Sequence, residues 1–124
     1  MTTALITHDD CLDHLTPTGH PEQVARLSRI LAALEGKALR RVTAPLVAED
    51  DLLRVHPASY VERIRAAAPA EGRVQLDADT WMSPGSLAAA HRAAGGAVRA
   101  VDLVLAGEVG NAFVATRPPG HHAE

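Results

Sequence analysis

The segment Asn111-Ala112-Phe113-Val114-Ala115-Thr116 is short, mostly apolar, and bounded by Gly110 and by two prolines. It reads as a buried strand. Pro118 and Pro119 have no N–H to give to a ladder, so the strand must stop before them. Gly120 then lets the backbone bend or come close to another group. His121 and His122 are thereby presented on a loop just past the carboxyl end of a strand. In an open α/β sheet that edge is where ligands bind. Two imidazoles there offer proton transfer near neutral pH, or metal ligation. Neighbours on a regular strand point to opposite faces; a loop after Pro-Pro-Gly can aim both rings at one pocket. The competing reading is a proline-rich turn with two exposed histidines.

The preceding chain alternates strands and helices. Ala4–Thr7 is a first strand, followed by a loop holding His8, Asp9, Asp10, His14 and His20. Their spacing fits no standard zinc pattern, so solvated loop residues or local caps are expected. Pro21 suits a first helical turn, and Glu22 complements the positive helix end. Val24, Leu27, Leu31 and Leu34 form one apolar face, and Gly36 stops the helix. Arg26 and Arg29 lie off that face. A strand over Arg41–Ala48 contains Pro45, which favours an edge position. A short helix over 49–55 leads to His56-Pro57, then a helix over Ala58–Ala68 with Tyr60, Val61 and Ile64 inward. His56 is expected to be a hydrogen-bonded structural residue.

Val74–Asp77 is extended and runs into Asp77-Ala78-Asp79. Two carboxylates at this spacing suit acid–base or ligand chemistry; the alternative is a turn in which they cap backbone N–H groups. Ser83 and Pro84 are the expected cap and first residue of a long helix ending at Gly107. Its expected buried stripe is Leu87, Ala94, Val98, Val101 and Leu105, with Arg92, Arg99 and Asp102 on the other side. Charged residues inside the helix argue against a membrane span. Gly95-Gly96 and the many alanines suggest close helix–sheet packing.

At 124 residues and 47% hydrophobic content the chain is long and apolar enough for one small domain with a core. Tyr60, Trp81 and Phe113 are the only aromatics, so that core is Ala, Leu and Val. Net charge is −3, and the arginines are scattered, which argues against a nucleic-acid partner. Cys11 is alone, so no intrachain disulfide forms. The start shows no signal-peptide pattern, and a cytoplasmic location is expected.

Arg117-Pro118-Pro119-Gly120-His121-His122-Ala123, preceded by Asn111-Ala112-Phe113-Val114-Ala115, resembles the tandem-histidine loop of the zinc-dependent deacetylases. These include histone deacetylases, acetylpolyamine amidohydrolases and related bacterial amidohydrolases. His20-Pro21-Glu22 with Arg26-Leu27, His56 with Tyr60-Val61, and Asp77-Ala78-Asp79-Thr80 with Ser83-Pro84-Gly85-Ser86 occur in the family's order. The resemblance implies a three-layer α/β fold of the arginase–deacetylase type, a parallel sheet flanked by helices. Three strands of it would be present, with the first in the middle. One flank of the third strand and faces of the long helix should then be uncovered apolar surface.

The same resemblance implies that His122 is the main general acid–base and that His121 assists by electrostatics and hydrogen bonding. It implies that Arg26 lines an internal channel, and that Asp77 or Asp79, with Gly120, belongs to the substrate-binding rim. Family zinc ligands lie downstream of the tandem histidines, and this sequence stops two residues after His122. Residues 1–124 are therefore expected to be the amino-terminal part of one deacetylase domain. The chain alone is expected to bind no zinc and to be inactive. The implied substrates are acetyl-lysine or acetylpolyamine amides, with no nucleic-acid or membrane partner and an open oligomeric state. Two other readings stand beside this one. The chain could be a non-catalytic deacetylase-like module acting in protein interaction. An arginase-type manganese enzyme on the same fold is disfavoured by the Gly-His-His loop.

Overall fold

Strand β1 (Thr3–Thr7) sits between β2 (Arg40–Thr43) and β5 (Asn111–Val114), and both neighbours run parallel to it. A computed structural model describes residues 1–123 in this arrangement. Leu5 is paired in register with Arg41 on one side and Phe113 on the other. Side chains alternate across β1 as the pleat requires. Ala4 and Ile6 pack with Leu103 and Val109 on one face; Leu5 packs with Cys11 and Leu27 on the other. Helices α1 (Val24–Leu34) and α4 (Ser86–Leu105) therefore enclose the sheet from opposite sides. The result is the expected three-layer α/β arrangement, in part.

β2 is an edge strand and ends before Pro45. Gly36 and Gly107 take φ of +75° and +73° just beyond α1 and α4, the left-handed stop expected of them. Helices α2 (Glu49–Leu53) and α3 (Ala58–Ala67) follow β2. A small antiparallel hairpin pairs β3 (Val74–Gln75) with β4 (Trp81–Met82). The aspartate-rich segment is its turn, the backbone-capping alternative offered for Asp77-Ala78-Asp79. Among the described residues no helix is long and apolar enough to cross a membrane.

Several expectations are corrected by packing. α1 begins at Val24, not Pro21, and no side chain caps it; Glu22 is drawn away by another partner. α4 begins at Ser86, and Ser83 does not cap it by side chain. Its hydroxyl instead accepts from the Leu15 N–H and donates to the Asp13 carbonyl. The buried stripe of α4 is Ala89, Gly95, Gly96 and Leu103, while Val98, Val101 and Leu105 face outward. This helix is apolar nearly all round, so periodicity does not choose its face. The small-residue face wins because it lets the helix lie against the strands. A Cβ at Gly95 would strike the Pro45 carbonyl, and one at Gly96 would stand 3.2 Å from Ala44 Cβ. Arg92 is not on a free polar side: its Nε donates to Asp10 Oδ2 at 2.9 Å and an Nη to the Ala44 carbonyl at 3.1 Å.

β5 is not buried as its composition suggested, and Phe113 is 49% exposed. Its outer edge is unpaired among the described residues, and Val98, Val101 and Leu105 add apolar exposure on α4. This is the uncovered flank expected from the resemblance. His56 stacks on Tyr60 at 5.0 Å, but its Nδ1 has no hydrogen-bond partner among the described residues, contrary to expectation.

Candidate functional site

The tandem-histidine loop leaves the carboxyl end of β5 and is pinned at its root by Arg117. That side chain is 3% exposed. Its Nε and one Nη donate to the two carboxylate oxygens of Glu22 at 2.9 and 2.7 Å. Its other Nη donates to the carbonyls of Cys11 at 2.9 Å and His14 at 2.7 Å. A planar guanidinium presents its donors in a fixed fork, so four acceptors fix its position and direction. The Arg117–Pro118 peptide bond is cis.

A second buried polar group lies against this pair. His14 is 4% exposed, so it is not the solvated loop residue expected. Its Nδ1 lies 2.6 Å from Ser86 Oγ, which also accepts the Ser83 N–H at 2.7 Å. Ser83 uses its own proton on the Asp13 carbonyl. Ser86 Oγ also lies 3.1 Å from Ser83 Oγ, so its proton can go to either neighbour. His14 Nε2 faces Glu22 Oε2 at 3.5 Å. Burial is the largest influence on His14 and pushes its pKa below the ordinary histidine value, with the Arg117 charge acting in the same direction. His8 is the local cap expected, its Nδ1 accepting the Asp10 N–H at 2.9 Å.

On the far side of the loop, the rings of His121 and His122 lie 4.5 Å apart at 53°. Both residues are exposed. His122 Nε2 faces Asp79 Oδ2 at 4.0 Å. Asp79 sits in the β3–β4 turn, where Asp77 Oδ1 accepts its N–H at 2.8 Å. That bond is the chief reason the Asp77 carboxyl is held below its ordinary pKa. Asp77 is therefore the turn-capping residue, and Asp79 is the carboxylate that reaches the histidines. His20 Nε2 lies 3.0 Å from the Asp79 carbonyl oxygen and 3.7 Å from its Oδ1. Asp79 and His122 are thus brought together. Gly120 borders open space, and nothing within 4 Å would meet a Cβ there. Arg26 stands apart, its side chain 57% exposed and 3.8 Å from Glu22 Oε1.

Chemically, the arrangement offers two adjacent imidazoles for proton transfer, with a carboxylate 4.0 Å from one of them. Among the described residues no three His, Cys, Asp or Glu side chains converge on a metal position. A groove of about 660 Å³ lies between α1 and the β1–β2 edge, but none of His121, His122, Asp77 and Asp79 lines it. The residues missed from sequence are Arg117, Glu22, His14 and Ser86. The available signal was Arg117 itself, a charge at the end of an apolar strand with no charged neighbour in sequence.

The histone deacetylase domain family matches residues 20–124. The chain belongs to the histone deacetylase family. It is 43% identical over 108 residues to the histone deacetylase-like amidohydrolase of Pseudomonas aeruginosa strain PAO1, covering 84% of this chain and 28% of that protein. A probable deacetylase of Archaeoglobus fulgidus is 34% identical over 130 residues, covering 100% of this chain and 36% of the relative. Human polyamine deacetylase HDAC10 is 32% identical over 138 residues, covering 100% of this chain and 20% of that protein. The deacetylase fold is matched by the solved HD domain of HDA15, with a TM-score of 0.90 and 27% identity over 99% of this chain and 37% of that one. The chain thus spans between a fifth and somewhat over a third of these proteins.

Proposed function

We infer that this chain contributes the tandem-histidine wall of a zinc-dependent deacetylase, as the amino-terminal part of a single catalytic domain. The substrates would be acetyl-lysine or acetylpolyamine amides. One observation carries the reading: His121 and His122 stand ring beside ring at the carboxyl end of a parallel strand, with Asp79 facing His122. By the family resemblance, the zinc ligands would lie downstream of His122. Zinc in such a site supplies a Lewis acid for the amide carbonyl and an acidified water. His122 Nε2 accepts a proton during attack and returns it to the departing amine. His121 keeps the same pocket polar and hydrogen-bonds the developing charge. Asp79 holds the substrate backbone at the rim.

The test is kinetic, in the zinc-loaded domain that carries this segment. His122→Ala should lower kcat by roughly 100- to 10,000-fold with a small change in KM, because a general base acts on the transition state. His121→Ala should lower kcat as well, and zinc content should stay intact in both. Zinc lost from the His122 variant would make that residue a ligand and end the proposal. Near-normal turnover in both variants would return the loop to a proline-rich turn.

A second reading is favoured by the uncovered flank of β5 and α4: a non-catalytic deacetylase-like module that binds another protein there. A zinc-loaded domain containing this segment that turns over acetyl-lysine excludes it.

A further inference from the structure

The motif His20-Pro21-Glu22 is not used by the proton-transfer chemistry, yet it touches both walls of the site. Glu22 takes the fork of Arg117 and so fixes the root of the tandem-histidine loop. Two residues earlier, His20 reaches the opposite wall. Its Nδ1 accepts the Glu22 N–H at 3.1 Å. A nitrogen that accepts carries no proton, so the proton of the neutral ring is on Nε2. Nε2–H then donates to the Asp79 carbonyl at 3.0 Å, 59 residues along the chain. The ring is largely buried, at 14% side-chain exposure, whereas Asp79 is 68% exposed and sits in a two-residue-strand hairpin. An exposed turn on so short a hairpin has little of its own to hold it. His20 supplies that hold, and its grip is on the backbone of the residue whose Oδ2 faces His122.

We propose that His20 is a positioning residue: it ties the rim turn bearing Asp79 to the three-residue segment whose Glu22 anchors the tandem-histidine loop, and so sets the gap between Asp79 and His122. The proposal rests on the deacetylase reading for its effect on substrate. Its geometric part is tested separately.

Two substitutions separate positioning from bulk stability. His20→Asn keeps an acceptor near the Nδ1 position, so the Glu22 N–H stays satisfied, but its side chain is too short to reach Asp79. His20→Gln places an amide N–H near the Nε2 position and can restore the contact. In the zinc-loaded domain carrying this segment, H20N should raise KM for an acetyl-lysine peptide by roughly 2- to 10-fold, the worth of one hydrogen bond. Its kcat and melting temperature should stay close to the parent's, and H20Q should recover most of the KM. The second readout needs no activity. With histidine rings isotopically labelled, H20N should shift the His122 ring resonances and leave those of His91, which faces Arg65 and Glu49, in place, and H20Q should move the His122 resonances back. Unchanged His122 resonances and KM in H20N would overturn the proposal. So would a melting temperature and kcat that fall together in both variants, which is the signature of a purely structural histidine. If the domain shows no turnover, or turnover indifferent to His122→Ala, the functional reading fails. The His122 resonances then still decide the positioning role.

Discussion

Arg117 and Glu22 are 95 residues apart in sequence and face each other fork to fork, at 2.9 and 2.7 Å. The pair joins the loop after β5 to the segment before α1, so the candidate site is held by a long-range ion pair and not by local turn structure. Arg117 is almost fully buried, and Glu22 nearly so. Removing Glu22 leaves the buried Arg117 charge without its carboxylate, and removing Arg117 leaves Glu22 only the exposed Arg26 at 3.8 Å. Glu22→Gln or Arg117→Met should therefore destabilise the fold by about 3–5 kcal/mol. The double substitution should cost clearly less than the sum, because the residues act as a unit. Denaturant unfolding of the three variants measures this; additive losses would mean that the pair contributes little.

Stability should fall on acidification below about pH 6.5. Burial holds His14 neutral, with its pKa below the unfolded value. Between the two values the unfolded chain binds a proton that the folded chain refuses. The unfolded state is then favoured as pH drops through that window, and stability returns as pH rises above it. His91 is shifted in the same direction, also chiefly by burial. His14→Asn should flatten the pH slope without abolishing it. Thermal melts from pH 7.5 to 5 check both statements.

Gly95→Ala should destabilise more than Gly96→Ala. At Gly95 the new carbon would meet backbone atoms of Pro45 and Val47, which cannot swing aside. At Gly96 its neighbours are side-chain carbons at 3.2, 3.3 and 3.5 Å, which can give slightly. Overpacking of this kind costs about 1–3 kcal/mol, and the Gly95 variant should sit at or above the upper end. Equal melting temperatures would mean that α4 shifts freely over the sheet.

The chain on its own should self-associate through the β5 flank. An unpaired parallel edge with a half-exposed Phe113 is a pairing template, and α4 adds exposed Val98, Val101 and Leu105 beside it. Phe113→Lys should shift the sedimentation profile toward monomer. A concentration-independent monomer in the parent chain would show that the flank is inert.

Much of the architecture was legible in the chain because its causes are local. The Pro118-Pro119 pair ends a strand because proline lacks the N–H that a ladder needs; Pro45 marked β2 as an edge strand, but the strand expected over Arg41–Ala48 stops at Thr43. Gly36 and Gly107 end helices by adopting a left-handed backbone. The tandem histidines follow directly from their place after β5. The closeness of α4 to the sheet was likewise implied by Gly95-Gly96, since only small residues permit it.

What sequence could not assign depended on which distant groups meet. Two faces of α4 are apolar, and only the shape of the sheet selects the one carrying Ala89, Gly96 and Leu103. Glu22 had a plausible local use at a helix start, and burial gave it to Arg117 instead, because a desolvated guanidinium takes the nearest carboxylate that can meet its fork. His14 was indistinguishable from its exposed neighbours until Ser86 closed over it. The partners that Asp77 and Asp79 take likewise waited on folding. Both are carboxylates in one turn, but Asp77 spends its oxygen on the turn's own backbone while Asp79 is carried to His20 and His122. The chain order fixes which residues are available for a site; their partners are set by the three-dimensional competition for buried charges and unpaired backbone groups.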